Sequence, residues 1–239
     1  MKQSIRLLQL YPRDMNIYGD WGNTLTLQRR LEWHGYDVTL LAYNPGDEFP
    51  QDVDIIIGGG GQDSGQSRIG DDLLSIAPKL KQLADDNVPM LMICGLYQLF
   101  GKKFTTKDGE IIPGINILDI ETVGGAERLI GNIVTSNDEF GLIVGYENHS
   151  GLTTLGENAT ALGTVIKGAG NNGRDTTEGA RYKNVIGTYL HGSLLPKNPA
   201  IADWLIEQAA VRKSGEFTPA IIDDRFAELA RDVAQRRPR

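Results

Sequence analysis

Between residues 5 and 100 short apolar runs alternate with stretches of helical spacing, an order that admits few folds. Residues 5–11 read as a first strand. Residues 24–34 have helical periodicity, with Asn23 placed as their N-cap. A β-rich run follows at 37–43, and a short apolar strand at 53–57 ends in four glycines, Gly58 to Gly61. Residues 71–87 form an amphipathic helix and 88–93 a buried strand. Parallel strands need crossovers, and helices of this length supply them. The expected fold class is α/β, a mixed, largely parallel central sheet flanked by helices in a flavodoxin-like arrangement.

The pattern changes after residue 104. Runs at 115–123, 128–136, 142–148, 161–168 and 184–190 are β-like, with short glycine-rich connections. They predict antiparallel strands attached to the same sheet. Residues 168–179 are polar and glycine-rich and read as a mobile loop. Helices are expected at 198–213, with Pro199 in the first turn, and at 219–236. No repeat or linker divides the chain. The expected organisation is one domain over 1–213 and a helical extension over 214–239.

The 239 residues carry a net charge of -7, which argues against a nucleic-acid footprint. No apolar run approaches the roughly 20 residues that cross a bilayer, and the charged first residues do not form a signal peptide. The single cysteine has no internal disulfide partner. A cytoplasmic protein with a free thiol is expected.

That cysteine, Cys94, follows the 88–93 strand and precedes a helix start at Leu96–Phe100. A strand, a sharp turn and a helix put Cys94 at the carboxyl edge of the sheet, where open α/β folds bind ligands. The helix dipole there favours thiolate. The alternative is a buried cysteine acting as a small hydrophobe. The glycines at 58–61 lack the lysine of a phosphate loop and fail the dinucleotide spacing. They leave exposed backbone N–H groups beside Cys94, the material of an oxyanion hole, or a plain tight turn. A thiol nucleophile needs a base. Of three histidines, His34 reads as a surface C-cap, while His191 ends a strand on the Cys94 edge and His149 competes with it. No metal-ligand spacing and no serine elbow is present.

Three segments in order, 57–62 (IGGGGQ), 93–98 (ICGLYQ) and 187–192 (GTYLHG), resemble the class I glutamine amidotransferase domain, in its cobyric-acid-synthase-like branch. The runs 11–23 and 145–150, with 128–132, are similar to the glutaminase subunits of lipid II isoglutaminyl synthases. The resemblance implies Cys94 as nucleophile on L-glutamine, His191 as base and acid, and Gly60 and Gly95 N–H groups as oxyanion donors. It also places Arg128 on the substrate α-carboxylate and Gln98 near the bound glutamine. Without the resemblance Arg128 reads as a surface arginine.

Two positions depart from the family pattern. Leu96 stands where a glycine is usual, and Ser193 where the triad glutamate is usual. The site then runs as a Cys–His dyad, or Glu147 orients a histidine. No ATP site is legible, so no cofactor is expected on this chain. The resemblance implies ATP and Mg on a separate partner, a MurT-like synthetase of the Mur-ligase family, fed with ammonia. The 168–179 loop and the last helix are candidate docking surfaces. A corrinoid amidotransferase, a non-catalytic module and a stand-alone cysteine hydrolase are the alternatives.

Overall fold

The computed structural model describes residues 3–238. The chain begins with β1 (Ser4–Leu10), α1 (Trp21–Trp33), β2 (Asp37–Tyr43), β3 (Ile55–Gly58), α2 (Asp63–Asp85), β4 (Met90–Ile93) and α3 (Gly95–Leu99). Six strands follow: β5 (Lys103–Thr105), β6 (Ile111–Pro113), β7 (Ile120–Asn137), β8 (Gly141–Leu155), β9 (Gly163–Lys167) and β10 (Thr177–Glu178). The last elements are β11 (Ala180–Tyr182), β12 (Val185–Thr188), α4 (Pro199–Ser214) and α5 (Arg225–Arg236).

The central sheet has the order β11-β12-β4-β3-β1-β2, parallel throughout except for β11 against β12. β3 and β4 are buried along their whole length. Strands covered on both faces read as unbroken apolar runs, which is what IIIG and MLMI are. From β1 the chain runs outward to β2, then crosses back to β3 and on to β4. The loop leaving β1 packs onto the loop leaving β3, with Ile17 N–H donating to the Gly60 carbonyl at 3.0 Å, so both reach the carboxyl edge of the sheet.

Most of the later strands do not extend this sheet, contrary to the expectation from sequence. β5 to β10 form a second sheet, β10-β9-β7-β5-β6 with β8 on β7, while β11 and β12 join the first, β12 parallel to β4. The two runs expected before and after residue 125 are largely one strand, β7, whose register shifts between Gly124 and Leu129. A glycine is required at the kink, since a Cβ on Gly124 would stand 3.0 Å from the Thr106 carbonyl carbon. The two sheets meet where Tyr146 of β8 bridges His191.

Helix α2 starts eight residues earlier than its periodicity suggests. Gly65 and Gly70 argue against helix in the sequence, but Gly65, Gln66, Ile69 and Gly70 are buried, so tertiary packing overrides propensity. Asn23 is not the cap of α1. It lies inside the helix, and its Oδ1 accepts the Leu195 N–H at 2.9 Å. The 168–179 segment is not loose at its ends. Asn171 is fully buried and bonds Tyr97 Oη at 3.0 Å and Gly179 N–H at 3.0 Å, so polar residues there serve the interior. Among the described residues no helix is long and apolar enough to cross a membrane.

Candidate active site

Cys94 forms the turn between β4 and α3 with φ 50° and ψ −99°. A non-glycine residue held there costs on the order of 1–3 kcal/mol. The turn persists because both sides of it are tied. Cys94 N–H donates to the Thr188 carbonyl at 2.8 Å, and Gln98 N–H donates to the Cys94 carbonyl at 3.0 Å. Leu96 is fully buried, and a Cβ on Gly58 would collide with its Cδ1. The glycine missing from the elbow is thus matched by one at the end of β3.

His191 follows β12 and is fully buried. Its N–H donates to the Tyr146 carbonyl at 2.7 Å, which fixes its backbone to the second sheet. A Cβ on Gly60 would stand 2.9 Å from His191 Cε1 and 3.1 Å from Cys94 Cβ, so the two side chains flank Gly60. His191 Nε2 is buried without a hydrogen-bond partner among the described residues. Its Nδ1 lies 3.3 Å from Asp20 Oδ1. Burial pulls the imidazole pKa down, but the Cys94 charge and the Asp20 carboxylate outweigh it and raise it well above the ordinary value. Tyr18 packs edge-on against the ring at 5.1 Å.

Asp20 is the residue that sequence reasoning missed. It is buried, and its second oxygen accepts the Gly60 N–H at 2.6 Å. It lies 171 positions from His191, and no local spacing links the two. The only sequence signal was its place in the 11–23 run. Ser193, at the usual glutamate position, donates instead to the Gly19 carbonyl at 2.8 Å and so steadies the loop that carries Asp20. The Glu147 carboxylate accepts the Ala169 and Gly170 N–H groups, each at 2.9 Å. It therefore organises the 168–171 segment.

A cleft of about 390 Å³ opens above Cys94, and Gln98, Arg128, His149, Tyr18 and Gly61 line it. Arg128 is on the wall of this cleft. Its guanidinium bonds Asn148 Oδ1 at 2.9 Å and reaches Tyr18 Oη at 3.4 Å. Gln98 is buried, accepts from Gln66 at 2.6 Å and donates to Tyr189 Oη at 3.0 Å. Gly60 departs from its expected task, because its N–H is already bonded to Asp20. Gly61 lines the cleft instead, and its nitrogen lies 2.9 Å from where a Cβ on Gly95 would stand. His34 is remote from the cleft. Its side chain is buried rather than on the surface, with Nε2 3.1 Å from Asp203.

Behind the site, Glu178 is wholly buried. Its Oε1 accepts from Thr188 Oγ1 at 2.8 Å and from the Tyr189 N–H at 2.9 Å, on the segment leading to His191. Burial pushes its carboxyl up from 4.5 to about 8. A folded pKa above the unfolded one gives stability that is complete below about pH 4.5 and lost as pH rises through about 8. Melting temperature is expected to fall across that window, and Glu178→Gln to flatten the fall. An unchanged slope would mean that Glu178 is ionised when folded.

The CobB/CobQ-like glutamine amidotransferase domain model matches residues 6–199, which include Cys94, Arg128 and His191. The chain belongs to this family. The amidotransferase is 42% identical over 220 residues to the subunit GatD of lipid II isoglutaminyl synthase (glutamine-hydrolyzing) from Staphylococcus aureus strain N315, covering 92% of this chain and 90% of that one. The corresponding subunit of Streptococcus pneumoniae R6 is 36% identical over 235 residues, covering 96% and 90%. A solved glutamine amidotransferase of Thermotoga maritima superposes with a TM-score of 0.55 at 16% identity, over 97% of this chain and 93% of that one. That likeness concerns the fold alone.

Proposed function

We propose that this subunit hydrolyses L-glutamine at Cys94 and passes ammonia to a MurT-like, ATP-using synthetase, which amidates the D-glutamate of the lipid II stem. The carrying observation is the strained Cys94 elbow with His191 beside it, His191 backed by Asp20, under a cleft lined by Arg128. Near end-to-end similarity to two GatD subunits favours this acceptor over a corrinoid.

In this scheme His191 Nε2 takes the thiol proton, and the sulfur attacks the side-chain carbonyl carbon of glutamine. Asp20 holds the Nδ1–H tautomer, which leaves Nε2 free as base. The tetrahedral oxyanion is held by the N–H groups of Gly95 and Gly61, rather than Gly60. The imidazolium then gives its proton to the departing nitrogen, and ammonia leaves a γ-glutamyl thioester. Water, deprotonated by His191, attacks the thioester and releases glutamate, and the sulfur regains the proton. Arg128 pairs with the α-carboxylate, a planar ligand suited to guanidinium. The subunit itself takes no cofactor, ATP and Mg are held by the partner, and the reaction is cytoplasmic.

Arg128 acts on substrate and transition state alike, so Arg128→Ala is expected to raise the KM for glutamine about 10- to 100-fold, with a smaller change in kcat. Steady-state kinetics with glutamine would show this, and an unchanged KM would remove Arg128 from the binding site. The function itself is tested with amide-15N-labelled glutamine, the full chain, a MurT-like partner, ATP, Mg and lipid II. Label in the new isoglutamine amide is expected. Amidation from free ammonium but not from labelled glutamine would overturn the proposal.

A further inference from the structure

His149 lines the cleft, yet the scheme above gives it no task. Its ring is 2% exposed and stacks on Tyr189 with centroids 3.6 Å apart and planes 4° apart. Nδ1 lies 2.7 Å from the Gly151 carbonyl oxygen. A carbonyl can only accept, so Nδ1 carries the proton and the neutral ring keeps a lone pair on Nε2. Burial holds the ring down to about 4. The Gly151 carbonyl pulls upward, the His191 and Arg128 charges push down, and the Gly170 carbonyl adds a small upward pull. The ring is therefore neutral at physiological pH. Nε2 is buried and has no hydrogen-bond partner among the described residues. Leaving a buried acceptor unmet is costly, and at a cleft wall it points to a ligand that brings the donor.

Its position narrows the donor. His149 pairs with Leu129 across β7 and β8, beside Arg128, and its neighbour Asn148 bonds the Arg128 guanidinium. A substrate whose α-carboxylate is held by Arg128 carries its α-ammonium on the same carbon. We propose that His149 Nε2 accepts a hydrogen bond from the α-ammonium of bound L-glutamine and so selects α-amino acids over simple amides. This inference rests on the glutaminase function proposed above. Arg128 and His149 then read the two charged substituents of one carbon, while Cys94 and the glycine N–H groups read the amide end. Other acceptors line the cleft: Gln66 Oε1 is also buried without a partner among the described residues, but its amide lies beside Gly95 and Gln98, at the end of the cleft next to Cys94, and the Asp63 carboxylate is exposed, where solvation weakens its part in recognition.

The test measures dissociation constants of L-glutamine and of glutaramate, the same amide without its amino group, on the full chain carrying Cys94→Ser. Adding His149→Phe keeps the stack on Tyr189 and removes the acceptor. The preference for glutamine is expected to fall about 10- to 100-fold, through weaker glutamine binding alone. His149→Gln, whose Oε1 can accept where Nε2 did, is expected to restore part of it, and Asp63→Asn to leave it within about twofold. Equal weakening of both ligands would assign His149 a structural role and overturn the inference, as would a collapse of the preference in Asp63→Asn. If the Cys94→Ser chain binds no glutamine at all, alone or with its partner, the glutaminase function itself fails and the inference falls with it.

Discussion

Cys94→Ala is expected to lose glutamine hydrolysis by at least about four powers of ten, because the covalent route disappears with its nucleophile. The fold should persist. Alanine is no worse than cysteine at φ 50° and ψ −99°, and the ties of the turn to Thr188 and Gln98 are backbone bonds. Cys94→Gly separates chemistry from folding more sharply. Glycine takes this conformation without strain, so the variant should be equally inactive and about 1 kcal/mol more stable than Cys94→Ala. Ammonia release and thermal unfolding together check both statements. Residual hydrolysis near the wild-type rate would remove Cys94 from the reaction.

The second large effect belongs to Asp20. Asp20→Asn is expected to lower kcat for glutamine about 100- to 10,000-fold while changing KM little, by the logic of a triad carboxylate. The asparagine oxygen would still accept the Gly60 N–H, which turns its amide N–H toward His191 Nδ1. The ring must then accept at Nδ1 and carry its proton on Nε2, the tautomer that cannot take the Cys94 proton. His191 would also lose a carboxylate that raises its pKa, so the acidic limb of the pH–rate profile should move. A kcat within threefold of wild type would make the Asp20–His191 contact incidental.

Much of this site was legible because its parts are local. The strand–Cys94–helix turn and the strand ending near His191 are each contiguous, and a parallel sheet brings such ends to one edge without further information. Arg128 and Gln98 were placed by resemblance, and they do line one cleft. Asp20 and Gly61 were not legible. Asp20 reaches His191 only because the loop after β1 folds over β3, where Ile17 N–H donates to the Gly60 carbonyl at 3.0 Å. That same bond network occupies the Gly60 N–H and carbonyl, which is why the proposed oxyanion donor is Gly61. The second sheet was misjudged for a related reason, since alternation marks a strand but not the sheet it joins. The 168–179 segment looked loose because its polar groups were counted as solvent-facing, whereas Asn171 and the partners of Glu147 face inward.

Every step proposed for this chain depends on Cys94 being the nucleophile of a glutamine site. The most direct measurement is the intact mass of the full chain, with its synthetase partner present, after exposure to the diazoketone analogue of glutamine. One adduct is expected, formed as the Cys94 sulfur displaces dinitrogen, absent from Cys94→Ser and suppressed by excess L-glutamine. No adduct on the wild-type chain, or an adduct that survives Cys94→Ser, would contradict the account.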